Sequence, residues 1–375
     1  MKVGVPKEIV VGENRVALVP DAVGLLRKAG PQILFESGAG ESAFFPDRAY
    51  EAAGATIVSD PVALFTEADV VLKVQTPALN PVLGKHEVEL MREGTVLISF
   101  LQPLSHPDLV NRLVERKITS FSMDLIPRIA RAQKMDALSS QSTVAGYKAV
   151  LAAASSLGKF FPMLVTAAGT IPPAKVLVLG VGVAGLQAIA TARRLGAMVQ
   201  AYDIRPAVKE QVESLGGTFI ELDLGGGKTE DVSGYAEELT AESHEREKVL
   251  LRRHVPKADI VITTALIPGK RAPVLITAEM VQDMKAGSVI VDLAAEAGGN
   301  CELTEPDRVV TRYGVTIHGP LNIPSAMPVH ASQMYSKNIS SFLLQIVRNG
   351  KLEFDFNDPI TNDTCITHEG RVRQQ

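Results

Sequence analysis

Cysteine is nearly absent from this 375-residue chain, which carries only Cys301 and Cys365. Two unclustered cysteines form neither a disulfide framework nor a zinc site, and they fit a reducing compartment. An excess of one charge is missing too. Lys and Arg number 38 against 42 Asp and Glu, a formal net charge of −4, so no basic surface for nucleic acid is expected. No apolar run is long enough to span a membrane. The richest stretch, 149–174, is broken by Lys159, Pro162, Gly169, Pro172 and Pro173, short of the ~18 uncharged residues a span wants. It reads as a buried helix over 142–161 followed by an irregular connection, in a soluble chain. HExxH, CxxC and GxSxG are all lacking, and no nucleophile–base pair is visible. None of the histidines has metal-ligand spacing. His244 and His254 sit on a charged insert, His86, His106 and His368 read as surface residues, and His318 and His330 as satisfied ones. The start, Met1 to Glu8, reads as a strand rather than a signal peptide.

What is present is globular. The hydrophobic fraction is 46% against 21% charged residues, enough to bury two cores, and the length fits two domains. Strand signals at 2–6, 32–36, 56–58, 70–74, 95–100 and 118–122 alternate with helical patterns at 22–29, 48–53, 85–92 and 107–116. A second alternation has strands at 176–179, 198–203, 218–221, 259–263, 288–292 and 315–318. Such alternation means βαβ units and parallel sheets. The expected fold is α/β, with two Rossmann-like doubly wound parallel-sheet domains joined by long helices and a cleft between them. A helical period at 325–347 returns the chain to the first domain. The expected division is 1–140 plus 325–375, without a glycine fingerprint, and 141–324, with one. The tail after Gly350 reads as polar and irregular.

That fingerprint is Val176-Leu177-Val178-Leu179-Gly180-Val181-Gly182-Val183-Ala184-Gly185. An apolar strand enters a glycine turn, and a helical pattern follows. The first Gly permits the tight turn, the second lets backbone approach a pyrophosphate, and the third lets helix and strand pack closely. The helix N-terminus then faces the phosphates. Asp203 closes the next strand, where a carboxylate can accept from both hydroxyls of an adenosine ribose and repel a 2′-phosphate. NAD(H) is therefore favoured over NADP(H). Arg205, two residues on, reads as a solvated residue or one stacked beside the adenine.

Three further features carry candidate chemistry. Gln133, Asp136 and Ser139 are spaced by three, so a helical turn aligns them on one face. With Arg128 they can fix a carboxamide and a ribose; alternatively Asp136 or Ser139 caps a helix. Arg15, after the first strand, and Lys73, within an apolar one, can together bind a carboxylate; alternatively Lys73 snorkels. The run 225–234, with three adjacent glycines at Gly225, Gly226 and Gly227, is either a lid or a plain surface loop. A charged helical insert at 235–254 follows it.

Met1 to Glu8 with Asn14-Arg15-Val16-Ala17, Leu72-Lys73-Val74 and the glycine fingerprint resemble the alanine dehydrogenase and transhydrogenase superfamily. Arg128 to Gln141, Ser142 to Val150 and Ile262 to Gly269 are similar to the NAD(H)-binding domain I of proton-translocating NAD(P) transhydrogenases. With no membrane segment, the chain resembles the separate α1 subunit of the multi-subunit form. The resemblance implies direct hydride transfer between NADH here and NADP⁺ on a partner component, coupled to proton translocation by a membrane component. It implies a homodimer, held at the cytoplasmic face of the inner membrane through its partners. It also implies that Arg128, Gln133, Asp136 and Ser139 hold the nicotinamide and its ribose, with Gln133 nearest the partner's nucleotide. Gly180, Gly182, Val183, Ala184, Gly185, Asp203, Ile204, Arg205, Thr264, Ala265 and Leu266 would bind NAD(H), and Gly234 and Tyr235 would close over it. No metal is implied.

One departure separates the two branches of the superfamily. Alanine dehydrogenases bind their keto-acid with an arginine and a lysine matching Arg15 and Lys73, and use a histidine as acid–base. Gln102 stands where that histidine is expected, and an amide does not titrate near pH 7. Oxidising an amine requires a proton to leave, whereas nicotinamide-to-nicotinamide transfer requires only two C4 atoms in near-attack geometry. Asp292, which matches an alanine dehydrogenase site residue, reads here as a strand-end cap. The alternatives are an alanine dehydrogenase-like enzyme or an inert NAD-binding module.

Overall fold

The computed structural model describes residues 1–222, 240–267, 269–348 and 350–373. The chain divides into two compact units, Met1–Gln141 with Pro324–Gln375, and Ser142–Ile323.

The first unit is built on one sheet, ordered Arg371–Val372, Cys365–His368, Thr119–Ser122, Val96–Ser99, Val70–Leu72, Lys2–Val5, Gln32–Glu36, Thr56–Val58. From Thr119–Ser122 onward all neighbours are parallel. Val96–Ser99, Val70–Leu72 and Lys2–Val5 are mostly apolar and buried, as a sheet covered on both faces requires. Val3, Ile33, Val70 and Ile98 enter one core, and Leu34, Val71 and Leu97 the other. Helix Pro328–Gln345 starts with proline at its first turn, where the missing N–H costs nothing. It buries Tyr335, Ile339, Phe342 and Leu343 in the first core. Its serine hydroxyls also satisfy the loop after the first strand. Ser332 Oγ accepts from the Val16 amide and Ser336 Oγ from the Val19 amide, each at 3.0 Å.

Two expectations for this unit are corrected. The tail is not irregular: helix Pro359–Thr364 is followed by Cys365–His368, which pairs antiparallel with Thr119–Ser122. The residues expected as a helix at 85–92 form a two-residue strand, Lys85–His86, and one helical turn, Glu87–Leu90.

The second unit's sheet is ordered Thr218–Ile220, Met198–Tyr202, Lys175–Leu179, Ile260–Thr263, Val289–Asp292, Val315–Gly319, Arg308–Arg312. All neighbours are parallel except the last pair. The chain winds outward from Lys175–Leu179, then returns to its other side at Ile260–Thr263. The strand order reverses there, and in open α/β sheets ligands bind beyond the carboxyl ends of the strands at such a point. The expected helix over 142–161 is found as Ala137–Ser156, five residues earlier at each end. The stretch expected to be irregular holds an antiparallel hairpin, Leu164–Thr166 with Gly169–Ile171. Among the described residues no helix is long and apolar enough to cross a membrane. The run 225–234 and Tyr235 lie outside the described residues.

Gly146 sets how closely helix Ala137–Ser156 meets the fingerprint helix, Val183–Arg194. A Cβ at Gly146 would lie 2.1 Å from the Ala184 carbonyl oxygen, and backbone cannot step aside as a flexible side chain can. Gly146→Ala should destabilise the protein by about 1–3 kcal/mol through overpacking, outweighing alanine's helix propensity. Urea unfolding checks this; an unchanged or raised midpoint would show that the helices separate freely.

Candidate functional site

The glycine turn at the switch point is defined by what crowds it. Gly180 has φ +92°, and a Cβ there would meet Thr264 Oγ1 at 2.8 Å and the Ala265 nitrogen at 2.9 Å. A Cβ at Gly185 would lie 2.0 Å from the Gly180 carbonyl oxygen. Gly182 differs, because nothing stands within 4 Å of its Cβ position. The first and third glycines are therefore filled by protein and the second faces open space. Gly182 is also the N-cap of helix Val183–Arg194 and supplies no side-chain cap. The first-turn amides of that helix are left to an anion. Val183 is exposed and Ala184 half-buried beside it. Thr264 Oγ1 donates to the Gly180 carbonyl at 2.9 Å, tying the two loops together. Leu266 is exposed just beyond, and Ile204 is half-buried after Asp203.

Asp203 stands at the end of the neighbouring strand, as expected, and Arg205 is paired with it rather than solvated. It folds back on the acid. Asp203 Oδ1 accepts from the Arg205 amide at 2.9 Å and its Nε at 2.8 Å; Oδ2 accepts from Arg205 Nη2 at 2.8 Å and the Val181 amide at 2.7 Å. A carboxylate has about four lone-pair sites, and all are occupied here. A ribose diol can reach this carboxylate only if the guanidinium yields some of them.

Arg128, Gln133, Asp136 and Ser139 lie in the first unit. They do not form one helical face. Gln133 is in the 3₁₀ turn Ala130–Met135, and Asp136 ends that turn and caps the next helix. The Ser139 amide donates to Asp136 Oδ1 at 2.8 Å and its hydroxyl to Oδ2 at 2.5 Å. The capping alternative therefore describes Asp136. Arg128 and Gln133 are exposed, and Asp136 and Ser139 half-buried. The turn is anchored from outside. Arg131 makes a two-pronged pair with Asp358 at 2.7 and 2.6 Å, and Asn338 Nδ2 donates to the Lys134 carbonyl at 2.9 Å. Arg131 holds the Asp358 carboxyl below its ordinary range. Residues this far apart in the chain form no local pattern, so these anchors have no signature in the sequence.

The anion-binding expectation for Arg15 and Lys73 is not supported. Lys73 does not snorkel; its side chain is 0% exposed, 2.9 Å from Glu87 and 3.2 Å from Glu8. Arg15 donates Nε and Nη2 to the two oxygens of Glu13 at 2.8 and 2.6 Å, and Nη1 to Gln141 at 2.9 Å. A guanidinium in fork geometry is spending the donors a substrate carboxylate would use. Both cations are neutralised by the chain's own carboxylates.

Two family models cover this chain. "Alanine dehydrogenase/PNT, N-terminal domain" matches residues 4–145, and "Alanine dehydrogenase/PNT, C-terminal domain" matches 149–375. The chain belongs to the alanine dehydrogenase/PNT family. It is 50% identical to the first section of NAD(P) transhydrogenase subunit alpha from Rhodospirillum rubrum, over 99% of this chain and 97% of that one. The crystal structure of transhydrogenase from Sinorhizobium meliloti is 42% identical with a TM-score of 0.86, covering 99% and 98% of the two chains. Alanine dehydrogenase 2 of Staphylococcus aureus is 30% identical over 99% of this chain and 94% of its own.

Gln102 is the position expected to separate the two branches of the family. Gln102 is exposed, in a left-handed turn with φ +45°. The nearest acid, Asp124, accepts from the Leu101 and Gln102 amides at 3.2 and 2.7 Å and from the Ser122 hydroxyl. Burial pushes its carboxyl up against those hydrogen bonds. Its contacts hold the turn. His106 bonds back to the Gln102 carbonyl at 3.3 Å. Asp292 is fully buried and accepts from Thr263, Ala294, Cys301 and Thr304, so it is a strand-end cap. His318 is satisfied by Ser156 at 2.9 Å. His368 is not a surface residue: it packs edge-on to Phe354 and bonds Thr119 at 3.1 Å. Among the described residues no cluster could hold a metal.

The Glu13–Arg15 pair sets an acid limit on stability. Burial raises the Glu13 carboxyl, but Arg15's hydrogen bonds and charge, with Gln75, outweigh it and lower its pKa from 4.5 to about 2. A folded pKa below the unfolded one gives stability that is present above the unfolded value and lost as pH falls through the folded one. About 3 kcal/mol should therefore disappear between roughly pH 5 and pH 2. Denaturant titrations across that range check it. Glu13→Gln should be weaker at pH 7 and flatter below pH 5; a parallel pH profile would show that Glu13 does not set this limit.

Proposed function

We propose that this chain is the NAD(H)-binding component of a proton-translocating NAD(P) transhydrogenase. It passes a hydride directly between NADH and NADP⁺ held on a partner component. The observation that carries this reading is Gln102. Alanine oxidation needs a group that accepts a proton, and the amide at this position does not. Hydride exchange between two nicotinamides needs positioning alone. The full-length likeness to a transhydrogenase subunit supports the same branch of the family.

In this reading the pyrophosphate sits on the amides beyond Gly182, and the adenosine ribose on Asp203 after Arg205 gives way. Arg128, Gln133, Asp136 and Ser139 orient the nicotinamide and its ribose, with Gln133 nearest the partner's nucleotide. The bound cofactor supplies the hydride; the residues of this chain bind, orient and exclude. The chain works as a homodimer on the cytoplasmic face of a membrane, attached through an NADP(H)-binding and a proton-conducting component.

Mixing the chain with NADH and an NADP⁺-loaded partner component should give NADPH, and L-alanine with NAD⁺ should give no turnover. The reverse pattern would make the protein an alanine dehydrogenase. Asp203→Asn should weaken NADH binding about 10-fold by removing charge-assisted bonds to the ribose. It should also release Arg205 for a 2′-phosphate, narrowing the preference for NADH over NADPH; titration of nucleotide fluorescence reads both. Gln133→Asn should slow transfer at saturating NADH far more than it weakens binding, and equal effects would argue against a positioning role.

A further inference from the structure

The Thr264–Ile267 segment after strand Ile260–Thr263 forms one side of the switch-point crevice, and the buried side chain of Asn300 holds it. Asn300 is 0% exposed. Its Oδ1 accepts from the Ala265 amide at 3.0 Å, and its Nδ2 donates to the carbonyls of Ala265 and Pro273, each at 2.8 Å. Both backbone groups of Ala265 are thus held by one amide. Only asparagine at this length provides an acceptor and two donors in one plane. Aspartate would turn a carboxylate oxygen toward two carbonyls, and alanine would take this partner from three backbone groups.

Asn300 is itself placed by an unusual stretch of backbone. Gly298 and Gly299 both take positive φ, +102° and +81°. A Cβ at Gly299 would lie 2.8 Å from Asp292 Oδ2. Asp292 Oδ2 accepts from the Cys301 amide at 3.0 Å, and Oδ1 accepts from the Thr263 hydroxyl at 2.8 Å. The carbonyl of Asn300 receives the Leu275 and Ile276 amides at 2.8 and 3.0 Å. The carboxylate at the end of one strand therefore fixes a glycine turn, and the turn delivers Asn300 beneath the loop of the neighbouring strand.

We propose that Asn300 is a positioning residue for the dinucleotide. It holds the Ala265 peptide in its binding geometry before the nucleotide arrives. The inference rests on the NAD(H) reading above. A crevice wall that is already ordered does not draw on binding energy to form, and a hydride donor that must meet its acceptor within tenths of an ångström gains most from that order. Asn300 touches no reacting atom; it acts through Ala265 and Thr264.

The test uses the full-length chain with Asn300→Ala and Asn300→Asp. Three quantities are measured: melting temperature, NADH affinity, and the rate of hydride transfer to an NADP⁺-loaded partner at saturating NADH. Affinity should fall about 5-fold or more, and the saturated rate about 10-fold or more, out of proportion to any change in melting. Lower melting with wild-type affinity and rate would make Asn300 merely structural and overturn the proposal. A second measurement is independent of how well the variants fold. In wild-type protein the Ala265 amide should exchange slowly with solvent deuterium before NADH is added. Fast exchange that slows only on adding NADH would show that the nucleotide orders the loop, again overturning the proposal. Wild-type protein that binds no NADH overturns the cofactor assignment and this role with it; binding that the variants leave unchanged overturns only the role of Asn300.

Discussion

The second unit is organised by how closely backbone approaches backbone at the Gly180 turn. A strand end, a helix start and the loop of the neighbouring strand converge there. Every position that would carry a Cβ into the junction is glycine: Gly180 against Thr264 and Ala265, Gly185 against Gly180, and Gly146 against Ala184. Gly182, the glycine of the fingerprint with open space at its Cβ position, marks where the crowding stops and a ligand can enter. Side chains in the junction would force the helix away from the strand and turn its unpaired amides off the crevice. The anion site is thus a product of packing rather than of charged residues.

Charge is handled in an unexpected way throughout. Three cations that invite a functional reading are already paired: Lys73 with Glu8 and Glu87, Arg15 with Glu13, Arg205 with Asp203. Burying such ions is costly unless their partners are in place, and the chain supplies those partners internally. Lys73 is held protonated by its two carboxylates despite burial, which acts to lower it. The candidate acid–base positions follow the same logic. Asp124 and Asp292 spend their oxygens on amides and hydroxyls of adjacent turns. Gln133 keeps an exposed amide, a group that positions without titrating.

Much of this was legible in the chain. Val176 to Gly185 reads correctly because an apolar strand, glycines at defined offsets and a helical period occur in a row, and each has a local cause. The parallel strands read correctly because strands buried on both faces are continuous apolar runs. Local pattern failed wherever the cause was distant. Cys365 to His368 mixes apolar and polar residues over four positions, and only pairing with Thr119–Ser122 makes it a strand. Lys73 could be flagged as costly, but its relief comes from Glu8 and Glu87, which no spacing connects to it. Asp203 and Arg205 are two residues apart, yet the sequence could not say whether the guanidinium turns outward or back. Asn300 carried no signal, since a lone asparagine after two glycines reads as an ordinary turn.

The central claim is that the hydride moves directly from one nicotinamide to another, with no proton exchanged at the reacting carbon. The most direct measurement uses NADH deuterated at the transferred C4 position, mixed in ordinary water with this chain and an NADP⁺-loaded partner component. Direct transfer predicts NADPH that retains the deuterium in full and in one stereochemical position. NADPH carrying hydrogen from water, or no NADPH while L-alanine is oxidised, would contradict it.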